Sequence, residues 1–421
     1  MWRSIFGNFS IRVLSALLNL GLVILFSQVS GLVGKGEQSL LLTTIAILTI
    51  FDALIGGASL VNFSSKYSWA ILLRNSYAWI FALTCLAGIV LYVFSIFSAF
   101  YLINVLILSL LSAVVAVHSS LLLGQKRFVA YNFIQIIIPT LTLLTCLFQY
   151  GHSGVLNYKV SLYVAYGFAF LSSIYLIWYY YPKEQFEIQA SGFIFKKMLT
   201  YGAYNQLAHV FQLLSFRVSY YFLEYHHGKS MVGLYSNGSS ITESIWLIAS
   251  SISLWQFATI TNAKDRQYTI NLTEKLAAFG LTTAMFACIV LVLLPGEFYQ
   301  FIFGKDFVAL KPIMWCLAPG IWVFSYALIV GHYFSGHGRY QVNALASGLG
   351  FLISLLGAWM LIPSYGVLGA AITATISYAS TSAVVYRYFK DDGGRLQIFP
   401  TVLEVKEIIY QAQLRICSKK S

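Results

Sequence analysis

Twelve long apolar stretches, joined by short polar segments, dominate this chain of 421 residues. They run over about 10–31, 39–61, 75–98, 100–123, 128–150, 158–181, 199–223, 232–259, 276–295, 312–334, 342–362 and 366–388. A helix needs roughly 20 apolar residues to cross the hydrocarbon layer of a bilayer, and each stretch is of that order. Hydrophobic residues make up 59% of the chain and charged residues 10%, with a mean hydropathy of +0.76. A soluble domain carries about 25% charged residues, so this one lacks the polar coat that would keep it in water. The stretches do not alternate with the period of two that membrane strands require. The expected class is therefore an all-α polytopic membrane protein with about 12 transmembrane helices. The first stretch is too long for a signal peptide, and no small-residue cleavage site follows it.

The net charge of +12 invites a nucleic-acid reading, but the distribution of the charge excludes it. With the N-terminus placed inside, the cytoplasmic segments hold 20 of the 26 basic residues, among them Arg3, Arg12, Lys66, Arg74, Lys126, Arg127, Lys196, Lys197 and Arg339. The outer segments hold Lys35, Lys159, Lys229, Lys305 and Lys311, and Arg217 alone lies more than a few residues inside a span. This is the positive-inside bias that orients membrane helices, with both termini expected in the cytoplasm. Attraction to anionic lipid comes second, and no nucleic-acid partner is expected. The five cysteines (Cys85, Cys146, Cys288, Cys316 and Cys417) are scattered with no metal or disulfide spacing.

Every connection is short, so whatever the protein does is done in the membrane or at its surface. The segment 401–416 carries Thr401 and Glu404 at capping-box spacing and an apolar stripe at helical period. It reads as an amphipathic helix on the inner interface, within a cytoplasmic tail over 391–421. The joint between the first two spans and that between the seventh and eighth both carry Gly-Lys (Gly34-Lys35 and Gly228-Lys229), each followed by an acid deep in the next span, Asp52 and Glu243. Two six-helix halves, 1–190 and 191–390, would then be parallel repeats.

A charge at mid-bilayer costs about 2.5–3.5 kcal/mol by insertion scales, so Asp52, Arg217 and Glu243 are the first candidate site residues. Ser236, Ser239, Ser240, Glu243, Ser250 and Ser253 fall on one side of the eighth span, in the pattern of a cavity wall. The alternative is serines bonded to the preceding turn or gluing helices together. Tyr201, Asn205, His209 and Gln212 form a similar stripe on the seventh span, with Arg217 at its edge. Arg12, Ser15 and Asn19 share a face of the first. Arg217 lies about two turns from the outer end of its helix, roughly 10 Å, so snorkelling or a structural ion pair also accounts for it. Asp52 fits a proton site or a helix–helix hydrogen bond, and His118, His209 and His332 read as packing histidines. Pro139 and Pro319-Gly320 permit kinks, and Gly56-Gly57, Gly350, Ser354 and Gly357 permit close helix contacts. No GxxxxGK[ST], HExxH or GxSxG is present. A built-in ATPase, protease or other enzyme is not expected, and no cofactor is.

The stretch "FRVSYYFLEYHHGKSMVGLYSNGSSITESIWLIASSIS" resembles the seventh and eighth spans of Wzx-type flippases of polysaccharide repeat units, in the superfamily that also holds MATE exporters and lipid II flippases. "FGKDFVALKPIMWCLAPGI" (303–321) and "LIPSYGVLGAAITATISY" (361–378) resemble later segments of the same family. The resemblance implies alternating-access translocation of a polyprenyl-pyrophosphate-linked oligosaccharide from the cytoplasmic to the periplasmic leaflet of a bacterial inner membrane, for O-antigen, lipopolysaccharide or capsule assembly. Expected partners are that substrate, membrane lipids and the polysaccharide polymerase machinery. On that reading Arg217 matches the family's arginine and holds the pyrophosphate, while Lys66 and Arg74 recruit the headgroup. The chain departs from the pattern at Phe216, where relatives often carry an acid, and at Gln28, where many carry arginine. The competing reading is a MATE-like exporter of small molecules coupled through Asp52 or Glu243 to protons or sodium. Coupling to protons, sodium or the membrane potential stays open.

Overall fold

In the absence of water each backbone N–H and C=O must be satisfied within its own segment, which leaves helices as the structure for apolar spans. The structure, a computed structural model, describes residues 2–93, 99–182, 191–261, 263 and 265–401, without the side chains of 2–13, 99–100, 204, 205 and 258. The amphipathic helix expected over 401–416 lies outside these residues. Among those described, the regular elements are helices: α1 (Trp2–Gly56), α2 (Ala58–Phe63), α3 (Trp69–Val93), α4 (Ala99–Gly124), α5 (Phe128–Ser153), α6 (Tyr158–Tyr179), α7 (Ser191–His227), α8 (Lys229–Glu243), α9 (Trp246–Ile260), α10 (Arg266–Leu293), α11 (Gly296–Phe303), α12 (Leu310–Gly336) and α13 (Tyr340–Asp391).

Among the described residues, eight helical segments are long and apolar enough to cross a membrane. Two of them, within α1 and α13, are each divided by one non-helical glycine, Gly31 (φ 61°) and Gly366 (φ 54°). With those divided, and with α7 and the α8–α9 pair added, the described helices account for the twelve spans. A third joint of this kind, Gly228 (φ 78°), separates α7 from α8. Glycine reaches positive φ without a Cβ penalty, so one residue suffices where a loop was expected. Gly34-Lys35 therefore does not sit in an outer loop. Lys35 is buried in the helix after Gly31 and donates to Gln38 Oε1 at 2.8 Å. The connecting segment 296–311 is also more regular than a plain loop, forming α11 and a 3₁₀ turn (Lys305–Phe307) with Phe307 fully buried.

The chain divides into two compact units, Met1–Leu213 with Gln300–Phe307, and Leu214–Tyr299 with Val308–Ser421. In the first, α4 is the central helix, and Val105, Leu108, Val117, Leu121 and Leu122 are all but fully buried. Gln28, the departure from arginine, donates Nε2 to the carbonyls of Ile302 (2.8 Å) and Phe301 (3.3 Å) at the end of α11. In the second, α12 is buried between α8, α9, α10 and α13.

Lipid tails are as apolar as leucine, so helices associate there through close packing and hydrogen bonds. Small residues carry those contacts. A Cβ on Gly350 would fall 2.2 Å from Thr381 Oγ1, and one on Gly357 2.7 Å from Thr373 Cγ2. Ser215 Oγ meets Ser354 Oγ (3.0 Å) and Ser377 Oγ (2.8 Å), which knots α7 to both parts of α13. The tightest approach is at Gly202, where a Cβ would fall 1.6 Å from the Leu54 carbonyl oxygen. Gly202→Ala is expected to cost more than about 3 kcal/mol, because backbone must move to admit the methyl. Gly192→Ala, with nothing within 4 Å of the added carbon, is expected to be neutral or slightly stabilising. Thermal melts of the two purified variants in detergent check the pair.

Candidate functional site

The seventh span as read from sequence lies in α7, but the eighth is not one helix. It breaks immediately after Glu243. Ser244 N bonds to Ile241 O (3.2 Å), Ile245 N to Thr242 O (3.2 Å), Leu247 N to Ser244 O (3.1 Å) and Ile248 N to Ile245 O (3.3 Å). These are i to i−3 bonds, with Ser244 N shared equally with Ser240 O (3.2 Å), the tighter 3₁₀ pattern that marks hinges inside longer helices. Glu243 is thus the last residue of α8. An acid at a helix C-terminus faces the negative end of the helix dipole, so it calls for a cation.

Arg217 supplies it. Its Nη1 donates to Glu243 Oε1 at 3.0 Å and its Nη2 to Oε2 at 2.8 Å, two parallel bonds in fork-to-fork geometry. Arginine–carboxylate pairs of this kind are short, strong and directional. Arg217 Nη1 also donates to Tyr220 Oη at 3.1 Å, and that hydroxyl meets Ser239 Oγ at 3.0 Å. The guanidinium carbon lies 5.3 Å from the Tyr220 ring centroid, a cation–π distance. The side chains of Arg217 and Glu243 are 22% and 15% exposed, so the pair is sheltered yet reachable. The arginine does not simply snorkel outward.

Phe216, the residue standing in place of an acid, packs elsewhere. Its ring centroid is 5.1 Å from Trp246, 5.5 Å from Phe324 and 5.2 Å from Tyr378. The Trp246 Nε1 donates to Ile321 O at 3.0 Å. The counter-ion of the arginine therefore comes from the next helix, and aromatic rings brace the hinge beside it. Tyr220 escaped the sequence reading, although its position one turn after Arg217 was a usable signal.

The serine stripe of the eighth span is mostly internal. Ser236, Ser239 and Ser253 are buried. Ser236 Oγ donates to Gly233 O (3.0 Å), Ser240 Oγ to Ser236 O (2.7 Å) and Ser253 Oγ to Ala249 O (2.7 Å) and Leu328 O (3.2 Å). These hydroxyls serve the preceding turn and the neighbouring helix, the alternative reading of the stripe.

The other candidates lie in the first unit. Asp52 is 5% exposed, and its Oδ1 has no hydrogen-bond partner among the described residues. Asn19 is exposed and donates to Ser15 O at 2.8 Å within its own helix. Lys66 is exposed and donates to Asn62 Oδ1 at 2.9 Å, while Arg74 and His209 are exposed and Gln212 is half-buried. The side chain of Asn205 lies outside the described residues. His118 is not a lone packing residue. It is buried between Tyr77 Oη (2.5 Å from Nε2) and Ser173 Oγ (2.7 Å from Nδ1). Since Ser173 Oγ donates to Phe170 O at 2.8 Å, it accepts from Nδ1–H, which leaves Nε2 to accept from Tyr77. His332 is satisfied on Leu328 O at 2.8 Å.

The architecture has solved counterparts. A structure described as the lipid II flippase MurJ in an inward closed conformation aligns over 91% of this chain and 87% of its own, with a TM-score of 0.71 and 15% identity. An inward-facing multidrug resistance MATE family transporter of the MOP superfamily aligns over 90% and 94%, with a TM-score of 0.62 and 14% identity. An outward-facing MATE structure gives 0.56, with 91% and 92% covered and 14% identity. In sequence, the capsular polysaccharide biosynthesis protein CapF of Staphylococcus aureus is 27% identical over 171 residues, 40% of this chain and 43% of that protein. The match thus spans less than half the length of that relative. No family model matches the chain. The fold is that of the flippases and MATE transporters, and the chain is a multi-pass membrane protein of that architecture.

The ion pair makes a quantitative prediction. Breaking a sheltered pair by removing one partner costs about 3–5 kcal/mol when it is fully buried. With partial exposure, Glu243→Gln is expected to cost about 1–2 kcal/mol. Added to Arg217→Gln, it should cost much less than the sum of the singles, because the two groups interact directly. Melting temperatures of the two single variants and the double variant check this, and additive effects would mean the pair is not formed.

Proposed function

We propose that the protein translocates polyprenyl-pyrophosphate-linked oligosaccharide repeat units from the cytoplasmic to the periplasmic leaflet of a bacterial inner membrane, for capsule or O-antigen assembly. The observation that carries the reading is a permanent cation inside a helical membrane bundle, held by one carboxylate at a helix break. A guanidinium binds phosphate in the same bidentate geometry as carboxylate. A pyrophosphate entering near Arg217 competes directly with Glu243 for the same N–H groups. Exchange of one partner for the other changes the charge at the 243–245 hinge, and this couples loading to movement of α8 against α9. Lys66 and Arg74 provide the first electrostatic attraction on the cytoplasmic side, where both termini lie, and the prenyl tail stays in lipid. The sequence relative named for capsular polysaccharide biosynthesis and the structural relative named as a lipid II flippase both support a lipid-linked saccharide. The occurrence of this fold in inward-facing and outward-facing MATE structures supports alternating access. The polysaccharide polymerase machinery is the expected next partner, and the driving force is a proton, a sodium ion or the membrane potential.

One observation favours a second reading. The buried Oδ1 of Asp52 lacks a partner among the described residues, as in a group waiting for a proton or sodium ion. That suits a MATE-like exporter coupled to a cation. Transport of lipid-linked oligosaccharide into proteoliposomes separates the two readings, since the exporter would move a hydrophobic cation instead.

A charge-assisted hydrogen bond is worth about 1.5–3 kcal/mol. Arg217→Ala is therefore expected to lower flipping at least tenfold and to abolish surface polysaccharide in cells, with membrane insertion unchanged. Arg217→Lys is expected to recover part of the activity only, having charge without the planar fork. Normal surface glycan in the alanine variant would remove Arg217 from the mechanism.

A further inference from the structure

Two clusters of basic residues stand at helix ends, and they differ in how their charge is met. In the second unit Asp392 takes Arg266 Nη2 at 2.8 Å and Arg339 Nη1 at 2.5 Å, with Tyr333 Oη at 3.2 Å. That cluster is answered from within. In the first unit no Asp or Glu stands between Asp52 and Glu184, and among the described residues no ion pair reaches Lys126, Arg127 or Lys197.

Two cations of this cluster, Arg127 and Lys197, are held by their side chains, and the turn that carries Lys126 is anchored by backbone and neighbours. Ser64 O accepts from Trp69 Nε1 (3.1 Å) and from Gln125 Nε2 (2.8 Å), which ties the turn after α2 to the turn after α4. Arg127 lies over the Tyr180 ring at 4.8 Å, and Trp69 meets Tyr181 at 6.1 Å, which brings in the end of α6. Lys197 donates to Tyr67 Oη at 3.1 Å and lies 4.3 Å from the Phe193 centroid, which adds the start of α7. Lys126, Arg127 and Lys197 are exposed on this surface.

Lys126 carries the most telling detail. It is the one non-glycine residue with positive φ (59°) among the described residues. Arg127 N bonds to Leu122 O at 2.9 Å, which closes α4 in a Schellman turn with Lys126 in the left-handed position. Glycine is the residue that fits this position without strain. Folding and topology would both be served by glycine there, with Arg127 and Lys197 still marking the side. A strained lysine needs a use for its charge.

We propose that Lys126, Arg127 and Lys197 form a binding site for the phosphate of an anionic phospholipid of the surrounding bilayer. The flank of the site argues for a lipid over a soluble anion. Tyr175, Trp178, Tyr179 and Tyr181 at the end of α6 are 59%, 73%, 62% and 45% exposed, the tyrosine–tryptophan belt that sits at headgroup level. Cations at that depth meet phosphate oxygens, and each contributes attraction to an anionic surface. The lysine ammonium groups act as point charges and Arg127 as a planar fork. The site does not depend on what the protein transports.

Native mass spectrometry of the detergent-solubilised full-length protein, titrated with phosphatidylglycerol and separately with phosphatidylcholine, tests the proposal. Phosphatidylglycerol is expected to bind more tightly. Lys126→Gly is expected to raise the melting temperature and yet weaken phosphatidylglycerol binding about fivefold, the loss for one cation at a lipid surface. These opposite signs are not produced by damage to the fold. Lys126→Asn, which also tolerates the left-handed backbone, and Arg127→Gln provide the same reading if the glycine variant does not express. Unchanged phosphatidylglycerol binding in these variants would overturn the site. Displacement of the lipid by inorganic pyrophosphate at equal concentration would overturn its assignment to a membrane phospholipid.

Discussion

A polar group placed among lipid-like side chains has no water to fall back on, and most of this structure follows from that single constraint. Backbone groups are satisfied by helices, which make up most of the described residues. Hydroxyls of Ser240, Thr242 and Ser253 bond to carbonyls of the preceding turn. The serine knot of Ser215, Ser354 and Ser377 satisfies its members on one another. Arg217 and Glu243 are the extreme case, since each alone would be a costly charge and together they form two short hydrogen bonds.

The same constraint explains where the chain bends. Three joints between successive spans shrink to single glycines at Gly31, Gly228 and Gly366, which take positive φ without a Cβ penalty and keep the helices on either side nearly continuous. The joint after Glu243 uses another solution, a short 3₁₀ passage that keeps its backbone bonds while loosening the helix. Its position beside the ion pair gives that pair mechanical leverage. A change of partner at Arg217 alters the charge at the end of α8, where the helix is already least regular. The braces on the other side are aromatic, with Phe216, Trp246, Phe324 and Tyr378 in mutual contact.

Charge at the helix ends is handled in two ways within one chain. Asp392 neutralises Arg266 and Arg339 while joining α10 to the ends of α12 and α13. At the turns after α2 and α4 and the start of α7 the described residues pair no acid with Arg127 or Lys197, and aromatic rings and carbonyls anchor these segments instead. A positive-inside bias alone asks for charge on a side and no particular geometry.

Hydropathy by itself determined that the chain is a bundle of about twelve membrane helices, because the need to bury apolar residues in lipid is written residue by residue. It also singled out Arg217, Glu243 and Asp52, because a charge inside an apolar run is visible without any structure. The sequence could not decide which of these charges meet. Arg217 and Glu243 lie on consecutive helices, and only side-chain geometry shows that they form a fork while Asp52 Oδ1 stays unpartnered. It misplaced Lys35 in a loop, because a one-glycine joint has no polar signature to read. It took His118 for a lone packing residue, because Tyr77 and Ser173 come from distant helices. It left the serine stripe between cavity and glue, because both use the same spacing. Periodicity is a local property and was legible. The pairing of polar groups depends on contacts between distant segments, and tertiary structure alone decided it.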